Sequence, residues 1–338
     1  MIRKYKFSEF ALAVFIYSCF AVYLYRPYFE SFVQWQQLLP LNACLAAVGC
    51  FILSRRWVSS FAGSFFAGAV YGFGPFTLGL ANFHPTAGLL AAAVPWLFYP
   101  AVFCFRKKRQ WLSIPLSALP FLAIVIFFRA SVHYRLFAVS AHAGLHLADL
   151  VGLAAPLVMA KRGVTAIIGF YHVPLAALLI GSSMLLAARR LGVVMVLCIA
   201  LVLALCRPVL LVSPVMWLSI VVLGGSVVIG AGLQGLLLAG YSDRKWILAT
   251  AVIMGILAIA TLLLATKYFQ VAFGLADGYA RLFVGTARMY ILGAMALSIV
   301  FFMARAKVRS HPLRWLIVCS AIGVDIFLGA RFIVDKML

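Results

Sequence analysis

MIRKYKFSEFALAVFIYSCFAVYLY, residues 1–25, sets Arg3, Lys4 and Lys6 ahead of an apolar run. That run is about as long as a helix that crosses a bilayer. No small-residue cleavage site follows it, so the stretch is expected to remain as a first membrane span rather than leave as a signal peptide. The pattern then repeats along the chain. Apolar stretches recur at roughly 38–54, 58–80, 86–105, 111–128, 164–187, 191–206, 212–239, 246–266, 286–304 and 313–333.

Composition agrees with this repetition. Of 338 residues, 66% are hydrophobic and 10% charged, and the mean hydropathy is +1.12. These values exclude a soluble domain of any size. The chain is expected to be a single integral membrane domain over 1–338, an all-α polytopic bundle of about eleven transmembrane helices.

The balance of 28 Lys+Arg against 7 Asp+Glu gives a net charge of +21. In a soluble protein that excess would point to nucleic acid. Here the basic residues cluster between spans: Arg3, Lys4, Lys6; Arg55, Arg56; Arg106, Lys107, Lys108, Arg109; Arg189, Arg190; Arg244, Lys245; and Arg305, Lys307, Arg309, Arg314. They mark alternate connections, as the positive-inside rule requires, and would meet anionic membrane lipid. No nucleic-acid partner is expected. The N-terminus is expected in the cytoplasm and the C-terminus outside. The longest connections, 26–37, 129–163 and 267–285, are then external.

Seven cysteines, Cys19, Cys44, Cys50, Cys104, Cys198, Cys206 and Cys319, lie in or beside apolar stretches and form no CxxC pair. They read as free, buried thiols. YGFGPF (71–76) breaks an apolar run with two glycines and Pro75. It reads as a packing kink or as a re-entrant segment at the outer face. VLGGSVVIGAGLQG (222–235) carries small residues at helical spacing, which let neighbouring helices approach closely.

In so apolar a chain each polar residue is informative. Glu9 and Asp243 sit among basic residues and read as local charge balance. Glu30 follows the first span in YRPYFESFVQWQQLLP (25–40). It is either a solvated acid within an aromatic belt or a catalytic carboxylate at the membrane surface. Asp325, mid-span, needs a partner, and Arg288 and Arg207 lie at matching depth. Arg135, His142, His146 and Asp149 step by 7, 4 and 3 residues and share one helical face. A helix over about 134–158 in the external connection should lie in the interface plane. Its polar face would look into an external cavity, where Arg135 and the histidines would hold a phosphate or pyrophosphate. A divalent metal is the lesser reading. Residue 143 is Ala, so HExxH is absent, and a fourth ligand such as His84 or His133 would have to come from elsewhere.

Four stretches, in order, resemble the GT-C-fold polytopic membrane glycosyltransferases, in particular the bacterial type that glycosylates cell-wall polymers from polyprenyl-phosphate sugars. They are YFESFVQW (28–35), AGAVYGFGPFTLGLANFHPTAGLLAAAVPWLFYPAVF (67–103), LADLVGLAAPLVMAKRGVTAIIGFYHVPLAALLIGSSML (147–185) and PVMWLSIVVLGGSVVIGAGLQGLL (214–237). The resemblance implies a bacterial inner (cytoplasmic) membrane protein with an outward-facing site and a polyprenyl-phosphate-linked sugar as donor. It implies Glu30 as base on the acceptor hydroxyl. His84, Arg135, His142, His146 and Asp149 would then be substrate-binding. The chain departs from the family in a shorter first external connection, in Glu where the pattern carries Asp, and in lacking a large external C-terminal domain. A non-catalytic scaffold subunit built on the same core would have protein partners within a membrane complex. A lipid or solute transporter would gather polar groups near the bilayer midplane.

Overall fold

The computed structural model describes residues 7–32, 34–105, 110–133, 151–162, 167–187, 191–206, 208–239, 243–272, 278–306 and 311–338. Among these residues the regular structure is helical, with no strand and one isolated bridge between Val209 and Val212. Hydrocarbon offers backbone groups no partner, so an apolar chain satisfies them within helices.

The helices are α1 (Phe7–Tyr25), α2 (Leu39–Ser54), α3 (Phe61–Gly72), α4 (Pro75–Phe83), α5 (Pro85–Phe105), α6 (Ser113–Ser117), α7 (Leu119–His133), α8 (Val151–Ala154), α9 (Pro156–Arg162), α10 (His172–Ala187), α11 (Leu191–Leu205), α12 (Pro214–Leu238), α13 (Arg244–Leu264), α14 (Lys267–Ala272), α15 (Gly278–Arg305) and α16 (His311–Met337). The expected apolar stretches fall on helices in the same order, except that 164–187 is helical only from His172 among the described residues. Among the described residues eight are long and apolar enough to cross a membrane, whereas Leu119–Ser131, His172–Leu185 and Gly192–Leu205 are shorter. The polytopic membrane architecture therefore stands. The expected helix over 134–158 is corrected at its described end: Ala155 breaks α8 from α9, because the residue before Pro156 is pushed out of helical geometry.

Helix α12 forms the centre, packed against α3, α10 and α11. Small residues make this approach close. A Cβ on Gly230 would sit 2.6 Å from the Gly63 carbonyl oxygen of α3, and one on Gly232 only 1.8 Å from the Ala177 carbonyl oxygen of α10. The glycine-rich stretch is thus a packing surface, as read from the sequence.

The break at YGFGPF separates α3 from α4 inside the bundle. Its freed Phe73 carbonyl accepts the Tyr171 hydroxyl at 2.8 Å. Pro95 creates a second orphan within α5, since it has no N–H to offer the Ala91 carbonyl four residues earlier. Tyr71 supplies the donor instead, with its hydroxyl 2.6 Å from that oxygen. Both breaks are met by tyrosines, which keeps the segment a packed kink rather than a solvated one.

The bundle has two polar ends. At one, Arg55 pairs with Glu9, the Gln234 side-chain oxygen accepts the Ser59 and Ser60 amides at 2.7 and 3.2 Å, and Arg314 donates to the Ala239 carbonyl. At the other, Asp335 accepts the Tyr28 hydroxyl and Arg331 Nε, each at 2.7 Å. Glu9 thus balances charge as expected. Phe327 of α16 also meets Phe20 and Tyr23 of α1 at ring distances of 6.0 and 5.4 Å. The first and final helices therefore lie side by side. All seven cysteines are free, but Cys19, Cys198 and Cys206 lie on the outer surface rather than buried.

Candidate functional site

The chain enters α10 as an extended segment, 167–171, that runs against α8. Gly169 adopts φ +146, and a Cβ there would sit 2.3 Å from the Gly152 carbonyl oxygen. That conformation and that contact both require glycine. Helix α10 then starts at His172 inside the bundle, where water cannot satisfy its first N–H groups.

Asp325 of α16 supplies the partner. Its Oδ2 accepts the Val173 amide at 2.6 Å, and its Oδ1 lies 3.0 Å from His172 Nδ1. Both side chains are 1% exposed. A carboxylate at a helix N-terminus is favourably placed in the helix dipole, and Pro174 in the same turn has no N–H to satisfy. Asp325 sits near the centre of the apolar stretch Pro312–Lys336, so the pair lies deep in the bundle.

Aromatic groups close around it. Tyr290 of α15 meets the His172 ring edge-on at 5.0 Å and donates its hydroxyl to the Ala154 carbonyl. Tyr171 lies within electrostatic reach of Asp325 and of Tyr25. Gly329, one turn beyond Asp325, leaves room for it: a Cβ there would be 2.2 Å from the Tyr171 ring. Three buried polar atoms in this region have no hydrogen-bond partner among the described residues: His172 Nε2, Thr286 Oγ1 and the Tyr25 hydroxyl.

Asp325 is therefore paired between helices, and of the arginines expected from depth Arg288 is not its partner. Arg288 stands two residues before Tyr290 and so projects from the opposite face, where it is exposed. Arg207 lies outside the described residues. His172 was not singled out by the sequence reading. The signal was present in GFYHVP (169–174), where a histidine precedes a proline by two residues inside an apolar run.

The expected site residues divide. Glu30 lies in a turn after α1 and is exposed. It has no ion-pair partner among the described residues. His84 joins α4 to α5, half-buried, and burial lowers its pKa from the usual imidazole value. Asn42 of α2 donates to the Pro85 carbonyl at 3.1 Å, which ties the start of α2 to the start of α5. The Gln34–Leu38 turn also packs on α5. Glu30 and His84 thus belong to the same end of the bundle, the one that carries Asp335. Arg135, His142, His146 and Asp149 lie outside the described residues. Among the described residues no group of three His, Cys, Asp or Glu side chains is gathered so as to hold a metal ion.

No family model matches the chain, and no curated protein or solved structure matches it.

Proposed function

We propose that the chain is a multi-pass membrane glycosyltransferase of the GT-C kind, which moves a sugar from a polyprenyl-phosphate donor to an acceptor at the Asp335 end of the bundle. The observation that carries the reading is a contrast among acids. Glu9, Asp325 and Asp335 are each engaged by a basic side chain. Glu30 is exposed and unpaired among the described residues, on a connection tied down by the Tyr28–Asp335 hydrogen bond. A general base needs that combination of access and fixed position.

In the proposed reaction Glu30 takes the proton of the acceptor hydroxyl. The oxygen attacks the anomeric carbon, the bond from that carbon to the phosphate oxygen breaks, and polyprenyl phosphate leaves. His84, kept neutral by burial, offers a hydrogen bond to a sugar hydroxyl. Arg281 and Arg288, seven residues apart on α15 and exposed, form a basic stripe suited to a lipid phosphate.

The test is reconstitution of the purified chain with a radiolabelled polyprenyl-phosphate sugar, beside native mass spectrometry of the lipid it retains. Transfer that falls by about 10²–10⁴-fold in Glu30→Gln supports the reading. Absence of both transfer and retained lipid phosphate overturns it, and stoichiometric protein partners in their place would make the chain a scaffold subunit. One observation favours a second reading, transport of a lipid or solute: α10, α15 and α16 each bring a polar group to the buried pair.

A further inference from the structure

We infer that His172 and Asp325 form a proton-binding site inside the bundle, which sets how firmly α10 is held to α16. This stands whichever activity the chain has.

The first argument is charge. An ionised Asp325 beside a neutral His172 leaves one net negative charge on a pair that is 1% exposed on both sides. A buried lone charge is costly unless it is neutralised. One proton from water makes the pair neutral, either as imidazolium and carboxylate or as neutral imidazole and carboxylic acid. No bond within the chain breaks, and release returns the proton to water. Among the described residues His172 is the only ion-pair partner of Asp325. The titratable side chains facing the pair are Tyr171 ahead of α10 and Tyr290 of α15, with Tyr25 of α1 beside Tyr171. Helices α12 and α4 carry none, Arg288 of α15 faces away, and Arg331 and Asp335 of α16 pair with each other at its end. The basic residues of α13, Arg244 and Lys245, start that helix at the Arg55 end. The side chains of Lys161 and Arg162 on α9 lie outside the described residues.

The second argument is the vacant acceptor. Nδ1 faces Asp325, while Nε2 is buried with no hydrogen-bond partner among the described residues. A structural histidine normally uses both nitrogens when buried. Nε2 is therefore where a proton can be gained or lost without breaking an existing bond.

The consequence is mechanical. Asp325 is the cap of α10, through the Val173 amide. A carboxylate holds a helix N-terminus more strongly than a neutral acid does. Gly169, with its φ of +146, lies three residues ahead and can absorb the adjustment.

The experiment places the full chain in lipid nanodiscs with ¹⁵N-labelled imidazoles and follows the ring nitrogens from about pH 5 to 9, the range in which histidine changes charge. The chain has six histidines. The His172 signal is assigned by its loss in His172→Gln or, should that variant not fold, by its ring-current shift in Tyr290→Leu. A one-proton transition at His172 within that range, moved at least tenfold in proton affinity by Asp325→Asn, supports the site. The wild-type titration suffices if Asp325→Asn does not fold. A His172 signal that keeps one tautomer across the range overturns the inference and leaves a fixed structural pair.

Discussion

The Tyr71 hydroxyl provides the sharpest check on the fold. It lies 2.6 Å from the Ala91 carbonyl oxygen, and both residues are fully buried. Tyr71→Phe removes one oxygen and leaves that carbonyl bare, because Pro95 cannot donate to it. Orphaning a buried acceptor costs about 1–3 kcal/mol in soluble proteins. Interhelical hydrogen bonds measured in membranes average about 0.6 kcal/mol, with a maximum near 1.7. The expected cost is therefore about 1–1.5 kcal/mol. The cause can be isolated with Pro95→Ala, which restores the missing N–H and lets α5 satisfy its own carbonyl. In that background Tyr71→Phe should cost at most about 0.5 kcal/mol, so the double-mutant cycle should show a coupling of about 1 kcal/mol. Reversible unfolding in mixed micelles, followed against rising denaturing-detergent fraction, reads all four corners. An equal cost for Tyr71→Phe in both backgrounds would refute the assignment of this tyrosine to the proline's orphan.

Four other substitutions probe separate features. Gly232→Val puts a Cβ about on top of the Ala177 carbonyl, so it should cost more than about 3 kcal/mol or abolish folding. Gly255→Ala, with nothing within 4 Å of the new carbon, should be neutral or stabilising by up to about 1 kcal/mol in the same assay. His84 has a lowered pKa in the folded chain. Above the unfolded value of about 6.5 both states hold it neutral, and below it the unfolded chain gains the proton first. Wild type and His84→Gln should therefore show parallel stabilities above about pH 6.5, and only wild type should lose extra stability below it. Tyr28→Phe, which removes an exposed bond to Asp335, should cost no more than about 1 kcal/mol, and a larger loss would mean the clasp is less solvated than described.

Hydropathy made the helices legible because lipid imposes one requirement on every span. It did not reveal which face of each helix turns inward, since lipid and core are equally apolar. That is why Cys19 and Cys198 read as buried yet lie on the surface. The YGFGPF break was visible from Gly74 and Pro75, but its partner Tyr171 is 98 residues away in sequence. Asp325 was recognised as needing a partner. Depth suggested Arg288, whereas helical phase turns Arg288 outward. His172 was missed because it falls inside the stretch 164–187, read as one continuous span, where the structure ends an extended segment and starts a helix. Glu30 and His84 stood out because the connections between apolar stretches are where polar residues escape the hydrocarbon.

The side-by-side contact of α1 and α16 bears on how the protein is made. Only 22% of the apolar window of α1 is buried, and part of what covers it, Phe327, Arg331 and Asp335, belongs to α16, which is synthesised long after α1. At about 5–20 residues per second, α1 waits on the order of tens of seconds in the bilayer before that neighbour emerges from the ribosome. His172 waits a shorter time for Asp325. Until then α1 is held by its packing on α2, with the Glu9–Arg55 pair and the Cys44 thiol on the Tyr17 carbonyl among its contacts, so the nascent chain has a long interval in which α1 lies largely open to lipid.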